Sequence, residues 1–324
     1  MDCFGTFFQL CDYGGTYDPF IGGTITGVPK GVEISIAELQ AEMTRRAPSP
    51  QDFFSTKREE KDQIEIESGI EQGITTGEAI RFKIYNRDVQ PNQALLHVLK
   101  PSHASYTYKM KYGIQDNSGI GRASARQTAC RVVAGAIAKQ VLKPYGVEFQ
   151  SSIDKRTMEK MWQLEKEGLQ DDTMGAVVRG VIRNLPPGLG EPIYDKLDAR
   201  LAYAMLSING AKGFEIGEGF HAAQMLGSEY NDTQNPDFSF NSNHDGGVQA
   251  GISNGQDVYF AVAFKPIPTI QKEQKSIDFD GSIVTFSGNK RNDICVAPRV
   301  LVVVEAMAAM VVLDFLLIEQ NRKR

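Results

Sequence analysis

Cysteine and histidine are both scarce in this chain, four of each in 324 residues. Cys3, Cys11, Cys130 and Cys295 contain no CxxC pair and are too few for a disulfide framework. Nor do they share zinc-site spacing with any histidine, so four reduced thiols in a cytoplasmic protein and no metal are expected. No GxGxxG follows a strand and opens a helix, which excludes a Rossmann dinucleotide site by motif. The first ten residues, MDCFGTFFQL, place an acid where an export signal would be positive. One apolar run is long enough to cross a bilayer, residues 300–318, but Glu305 and Asp314 lie inside it. Each would cost roughly 2.5–3.5 kcal/mol at a bilayer centre, so a buried helix of a soluble protein is expected and no membrane partner. A net charge of -5 and a pI near 5.5 argue against a nucleic-acid surface. Glycine and proline are scattered without a biased tract, so residues 1–324 are expected to form a single domain.

Against that acidic background, residues 100–131 (KPSHASYTYKMKYGIQDNSGIGRASARQTACR) hold six Lys or Arg and one acid, Asp116. Such a local excess suits a phosphorylated small molecule. His103 brings one imidazole to the segment, and Arg122, Ser124 and Arg126 are expected in the first turns of a helix whose N-terminus also favours anions. His244, beside Asp245 in SNHDGG, has no partner cluster and fits a glycine turn better than a metal site.

Period-two alternation or β-rich runs at residues 63–67, 79–85, 176–182 and 258–264 predict strands. Apolar periodicity predicts helices at 35–46, 122–142, 193–208 and 300–320. Two strand groups with long apolar helices between them give an α+β class. The polar stretch 151–172 is expected to be a surface excursion.

Many segments, in order, resemble the chorismate synthase family: TGVPKGVEIS, TTGEAI, PSHASYTYKMKYG, GRASARQTA, LPPGLGEPIYDKLDARLAYAMLSINGAKGFEIGEGF, SNHDGGVQAGISNGQDVYF, FKPIPTI and PRVLVVVEAMAAM. The resemblance implies a β-α-β sandwich with helices packed between antiparallel sheets, assembled as a homotetramer. It implies loss of phosphate from 5-enolpyruvylshikimate 3-phosphate by anti-1,4-elimination, giving chorismate with reduced FMN, an associated NADP link and no net redox change. By matching motifs it implies His103 as an acid of near-neutral pKa and Asp293 as a proton acceptor. Arg122, Ala123, Ser124, Asn209, Gly210, Ala250, Lys265, Thr269 and Arg291 would hold FMN, and Arg46, Arg126 and Lys100 the substrate.

Several positions depart from the family pattern. FGESHGP stands here as YGGTYDP, so Tyr17 replaces a catalytic histidine and Asp18 brings a negative charge toward the expected anion. Phenols ordinarily titrate near 10, so Tyr17 is expected to be a weaker acid. Ala47, Lys100, Ser105, Gln115, Ser118, Ala123, Gln127, Ala250, Asn292 and Ile294 also replace family residues. Two readings follow: a chorismate synthase with weakened acid catalysis, or a homologue that binds flavin or is purely structural.

Overall fold

The computed structural model describes residues 2–49, 51–56, 62–87, 89, 91–288 and 292–322. Two antiparallel sheets enclose a layer of helices, the α+β sandwich expected from the sequence. The first sheet runs in the order Cys3–Phe4, Gln9–Tyr13, Phe20–Thr26, Ile80–Tyr85, Ile64–Ser68. The second runs Ala211–Ile216, Val258–Phe264, Ala176–Arg183, Glu148–Ile153. Alternation sets which face is buried: Ile80, Phe82 and Ile84 point inward while Arg81 and Tyr85 are exposed. Val258, Phe260, Val262 and Phe264 do the same in the second sheet. A smaller sheet pairs Gln274–Asp278 with Ile283–Phe286 and Val98–Leu99.

Between the main sheets lie the helices Ile36–Arg46, Thr128–Leu142, Leu197–Leu206 and Ala297–Arg322. Ser35 caps the first, its Oγ accepting the Glu38 N–H at 3.2 Å. Thr128–Leu142 packs toward the first sheet and Ala297–Arg322 toward the second. The two meet at Gly135, where an added Cβ would lie 2.3 Å from both Cα and Cβ of Ala306. Ala297–Arg322 is buried almost throughout, in protein rather than lipid. Glu305 receives Arg45 through two hydrogen bonds of 2.8 Å, Lys139 at 2.7 Å and the Ser151 hydroxyl at 2.8 Å. Asp314 accepts the Thr6, Phe7 and Phe8 amides at 2.7–3.0 Å and Arg200 at 3.2 Å.

Three expectations are corrected and a fourth is refined. The helix expected from residue 122 begins at Thr128, because the glycine-rich residues before it form 3-10 turns at Asn117–Ala123 and Ala125–Gln127. The helix expected from residue 193 begins at Leu197. Residues 151–172 lie mostly at the surface, as expected, but carry regular structure, the end of strand Glu148–Ile153 and helix Lys155–Glu167, the latter started by Asp154, whose carboxylate accepts the Arg156 N–H. Cys3 and Cys11 are joined in a disulfide, since they face each other on adjacent strands with Cα atoms 4.0 Å apart. Cys130 and Cys295 are buried thiols.

Gly135→Ala is expected to destabilise the fold by about 3 kcal/mol or more, because the clash includes backbone that cannot rotate away; chemical denaturation measures it. For Glu305, burial alone would raise the carboxyl's pKa, but Arg45 and Lys139 outweigh it and hold the group down to about 2. A depressed carboxyl stabilises above its unfolded pKa and loses that contribution as pH falls through the folded one. The stability deficit of Glu305→Gln is therefore expected to be on the order of 3 kcal/mol near neutrality and to shrink between about pH 4.5 and 2. A deficit independent of pH would remove the linkage.

Candidate active site

Three segments converge where the helix layer meets the loops at one end of the sheets. The last turn of Ile36–Arg46 sends Arg46 inward, 3% exposed. The turn Ala125–Gln127, capped by Ser124 Oγ on the Arg126 N–H, delivers Arg126. The first turn of Ala297–Arg322 supplies Arg299. Together with Thr16, Thr56, Ser124, Thr128, Asn209, Asn292 and Asp293 they line a cavity of about 250 Å³. Its other wall is apolar: Ile208, Ile267, Val296, Val300 and Val303.

Charges in this cavity are tightly matched. Asp62 lies between two arginines, accepting Arg46 Nη1 at 2.6 Å on one oxygen and Arg126 Nη1 on the other. Arg46 also donates to Thr128 Oγ1 at 3.0 Å and the Ala125 carbonyl at 3.2 Å. Arg126 also donates to Asn86 Oδ1 at 2.8 Å. Asp293 accepts Arg299 at 2.9 Å and the Thr56 N–H at 2.7 Å. Neither Asp62, Arg299 nor Thr56 was singled out by sequence. Arg299 had a signal, a cation just before an apolar run; Asp62 follows a mixed-charge stretch without periodicity and had none.

Lys100, His103 and Lys265 form a second group, close enough for both ammonium charges to act on the imidazole. Lys265 Nζ donates to the Ser102 carbonyl at 2.5 Å, and His103 Nδ1 lies 3.1 Å from Ser105 Oγ. Burial brings Lys100 down to about 8. His103 is held down to about 3, by burial first and then by Lys100 and Lys265, which corrects the expectation of a near-neutral value. Its imidazole is neutral at pH 7.

Arg122 does not share a face with Arg126. It donates to Asp12 at 2.8 Å, Asp2 at 2.9 Å and the Gly14 carbonyl at 3.1 Å, and lines a separate space of about 200 Å³ beside the disulfide hairpin. Asn209 lines both spaces; its Nδ2 donates to the Ala123 carbonyl at 2.9 Å and its buried Oδ1 has no partner. Gly210, at φ +85°, has open space where a Cβ would stand. Its carbonyl accepts the Lys265 N–H at 2.9 Å. Tyr17 is half-buried next to Thr16 of the cavity wall. Asp18 turns to its own loop and accepts the Gly15 N–H at 2.6 Å, away from the role of repelling a ligand expected for it. Thr269 is tied to the cavity through its carbonyl, which accepts Asn292 Nδ2 at 3.0 Å. Ala250, at φ +51°, occupies an exposed turn between Val248–Gln249 and Ile252–Ser253, outside the cavity lining. Arg291 lies outside the described residues.

A sandwich of two antiparallel sheets about buried helices, with a cavity walled by arginines on one side and valines on the other, defines a protein built to enclose an anionic ligand. The chorismate synthase family model matches residues 8–317. A chorismate synthase of Christiangramia forsetii is 44% identical over 350 residues, covering 99% of this chain and 98% of that protein. One of Parabacteroides distasonis is 42% identical, covering 100% and 99%; one of Saccharomyces cerevisiae is 40% identical, covering 99% and 98%. A crystal structure of chorismate synthase superposes with a TM-score of 0.75 at 25% identity, over 98% of this chain and 93% of that one. This chain belongs to the chorismate synthase family.

An anion placed among Lys100, Lys265 and His103 offsets the repulsion that adds to burial in keeping the imidazole neutral. Saturating inorganic phosphate is therefore expected to raise the His103 pKa by about one unit or more, followed by the ring resonances in an NMR titration. An unchanged His103 titration would show that these lysines do not receive the anion.

Proposed function

We propose that the protein eliminates phosphate from 5-enolpyruvylshikimate 3-phosphate to give chorismate, a lyase step of the shikimate pathway, with reduced FMN bound beside the substrate. The observation that carries this reading is the half-charged, half-apolar cavity in a chain related to chorismate synthases over its whole length. The residues suit a flavin mononucleotide: an unpaired buried amide oxygen on Asn209, open space above Gly210, the Ser124 hydroxyl and the Lys265 ammonium offer the mixed polar contacts it needs. Ser124, Asn209, Gly210, Lys265 and Thr269 would hold it. Reduced FMN, when bound by these residues, would supply electron density that eases departure of phosphate without net oxidation.

In this reading the C–O bond to phosphate and one ring C–H bond both break, and the C–H electrons end in the new diene. Arg46, Arg126 and Lys100 orient the anionic groups. His103, held neutral by burial first and then by two lysines, gains basicity once an anion pairs with the lysines. Asp293, anchored by Arg299 and the Thr56 amide, accepts the proton that leaves. Tyr17 stands in for a histidine as acid toward phosphate. The chain works as one domain within a homotetramer, which would cover exposed apolar groups such as Phe220, Phe238 and Ile283.

A second reading, a flavin-binding homologue without turnover, is favoured by Arg122, which Asp2 and Asp12 draw away from the cavity. Anaerobic assay of phosphate release with photoreduced FMN separates the two. Turnover is expected, with Tyr17→His raising kcat about tenfold or more and His103→Ala abolishing it. FMN binding without phosphate release would establish the second reading.

A further inference from the structure

Asp62 belongs to none of the motifs that carry the family resemblance, yet it has the most constrained carboxylate near the cavity. Its side chain is about 1% exposed, and its two oxygens are divided between Arg46 and Arg126. Its backbone sits at φ +40°, a left-handed conformation sparsely populated by residues other than glycine. Gln40 Nε2 donates to its carbonyl at 3.3 Å. Such a conformation persists where the surroundings over-determine it, and it concentrates at functional sites.

Arg46 comes from the end of a helix and Arg126 from a 3-10 turn, eighty residues apart in sequence. Arg46 Nη2 reaches the Ala125 carbonyl in the turn that carries Arg126, at 3.2 Å, but that bond leaves the Arg126 guanidinium itself unplaced. Two guanidinium groups side by side repel, and a carboxylate between them converts the pair into a unit of net charge +1 with fixed separation. Thr128 and Ala125 fix the far side of Arg46, and Asn86 fixes that of Arg126. Asp62 is a carboxylate partner common to both.

We propose that Asp62 is a positioning residue for anion recognition: by sharing its carboxylate between Arg46 and Arg126 it sets the spacing and limits the charge of the arginine pair at the cavity wall. This rests on the reading of the cavity as a phosphorylated-substrate site, and two separate readouts keep the two apart.

The first readout is stabilisation by inorganic phosphate, which needs no turnover. The wild-type protein is expected to gain thermal stability with phosphate, and Asp62→Ala to lose most of that gain. Formate added to Asp62→Ala should return it, because formate supplies a carboxylate of the right size to the vacated site, whereas neutral formamide should not. The second readout is anaerobic phosphate release under reduced FMN, where Asp62→Ala should raise KM by about tenfold or more and formate should lower it again. A purely structural role would lower the melting temperature and leave the KM of the folded fraction and the formate response unmoved. Should Asp62→Ala not fold, Asp62→Asn keeps the shape and one acceptor oxygen, and the same loss of phosphate stabilisation is expected. A phosphate response and KM equal to wild type in either folded variant overturn the proposal. Absence of turnover in the wild type, with the phosphate and formate responses as expected, sinks the catalytic reading and leaves Asp62 as the organiser of an anion site.

Discussion

The two carboxylates inside the apolar C-terminal helix fix where everything else sits. An apolar helix packed among apolar neighbours can rotate or slide at modest cost, because hydrophobic burial has no direction. Glu305 and Asp314 remove that freedom. They are nine residues apart, about 13.5 Å along the axis and on opposite sides of the helix. Glu305 reaches the helix Ile36–Arg46 through Arg45, the helix Thr128–Leu142 through Lys139 and the strand Glu148–Ile153 through Ser151. Asp314 reaches the first hairpin through three backbone amides and the helix Leu197–Leu206 through Arg200. Leaving either charge buried and unpaired would cost about 3–5 kcal/mol, so one register of the helix stands well below the others.

That register reaches the cavity directly. Val296, Val300 and Val303 form its apolar wall and Arg299 its edge because they precede or open the same helix that Glu305 anchors. Arg299 in turn donates to the Arg46 carbonyl at 3.1 Å, tying the helix start to the residue that Asp62 holds. The packing of the sandwich and the geometry of the arginines are therefore one problem. A change that moved the helix by a fraction of a turn would separate Arg299 from Asp293 before it exposed any core.

Much of this organisation was legible in the sequence, because it depends on periodicity. The alternating strands and the long apolar helices announced an α+β layered body, the family resemblance implied the sandwich, and Glu305 and Asp314 marked the last helix as buried in protein. The cation-rich stretch announced an anion site but not its geometry. Read as one cluster, its six cations go to separate places: Lys100 beside His103, Lys109 onto the Phe279 carbonyl at 2.8 Å, Lys111 over the Tyr112 ring, Arg122 toward Asp2 and Asp12, Arg126 toward Asp62, and Arg131 onto the Ser207 carbonyl at 2.8 Å. Charge in sequence does not give direction in space. The 3-10 turns before Thr128 rotate successive side chains differently from an α-helix, so Arg122 and Arg126 diverge where helical spacing would align them. Asp62 and the disulfide were illegible for the same reason: each is defined by a partner distant in the chain or across a turn.

The substituted motifs bear on whether the site is decaying or adapted. Loss of selection at a buried polar site should leave orphaned donors and acceptors, each costing about 1–3 kcal/mol. Here several of the altered positions have hydrogen-bond partners in the neighbouring loops. Gln127 donates to the Gly14 carbonyl at 2.8 Å, Asp18 closes its loop on the Gly15 amide, and Asn292 binds the Thr269 carbonyl. Thr16, in the rewritten first motif, donates its amide to the Gly121 carbonyl at 3.2 Å. Among the described residues, the buried side-chain atom at the cavity that lacks any partner is Asn209 Oδ1, at a position that still matches the family. That open acceptor lies on the one asparagine that lines both the arginine-walled cavity and the space beside the disulfide hairpin.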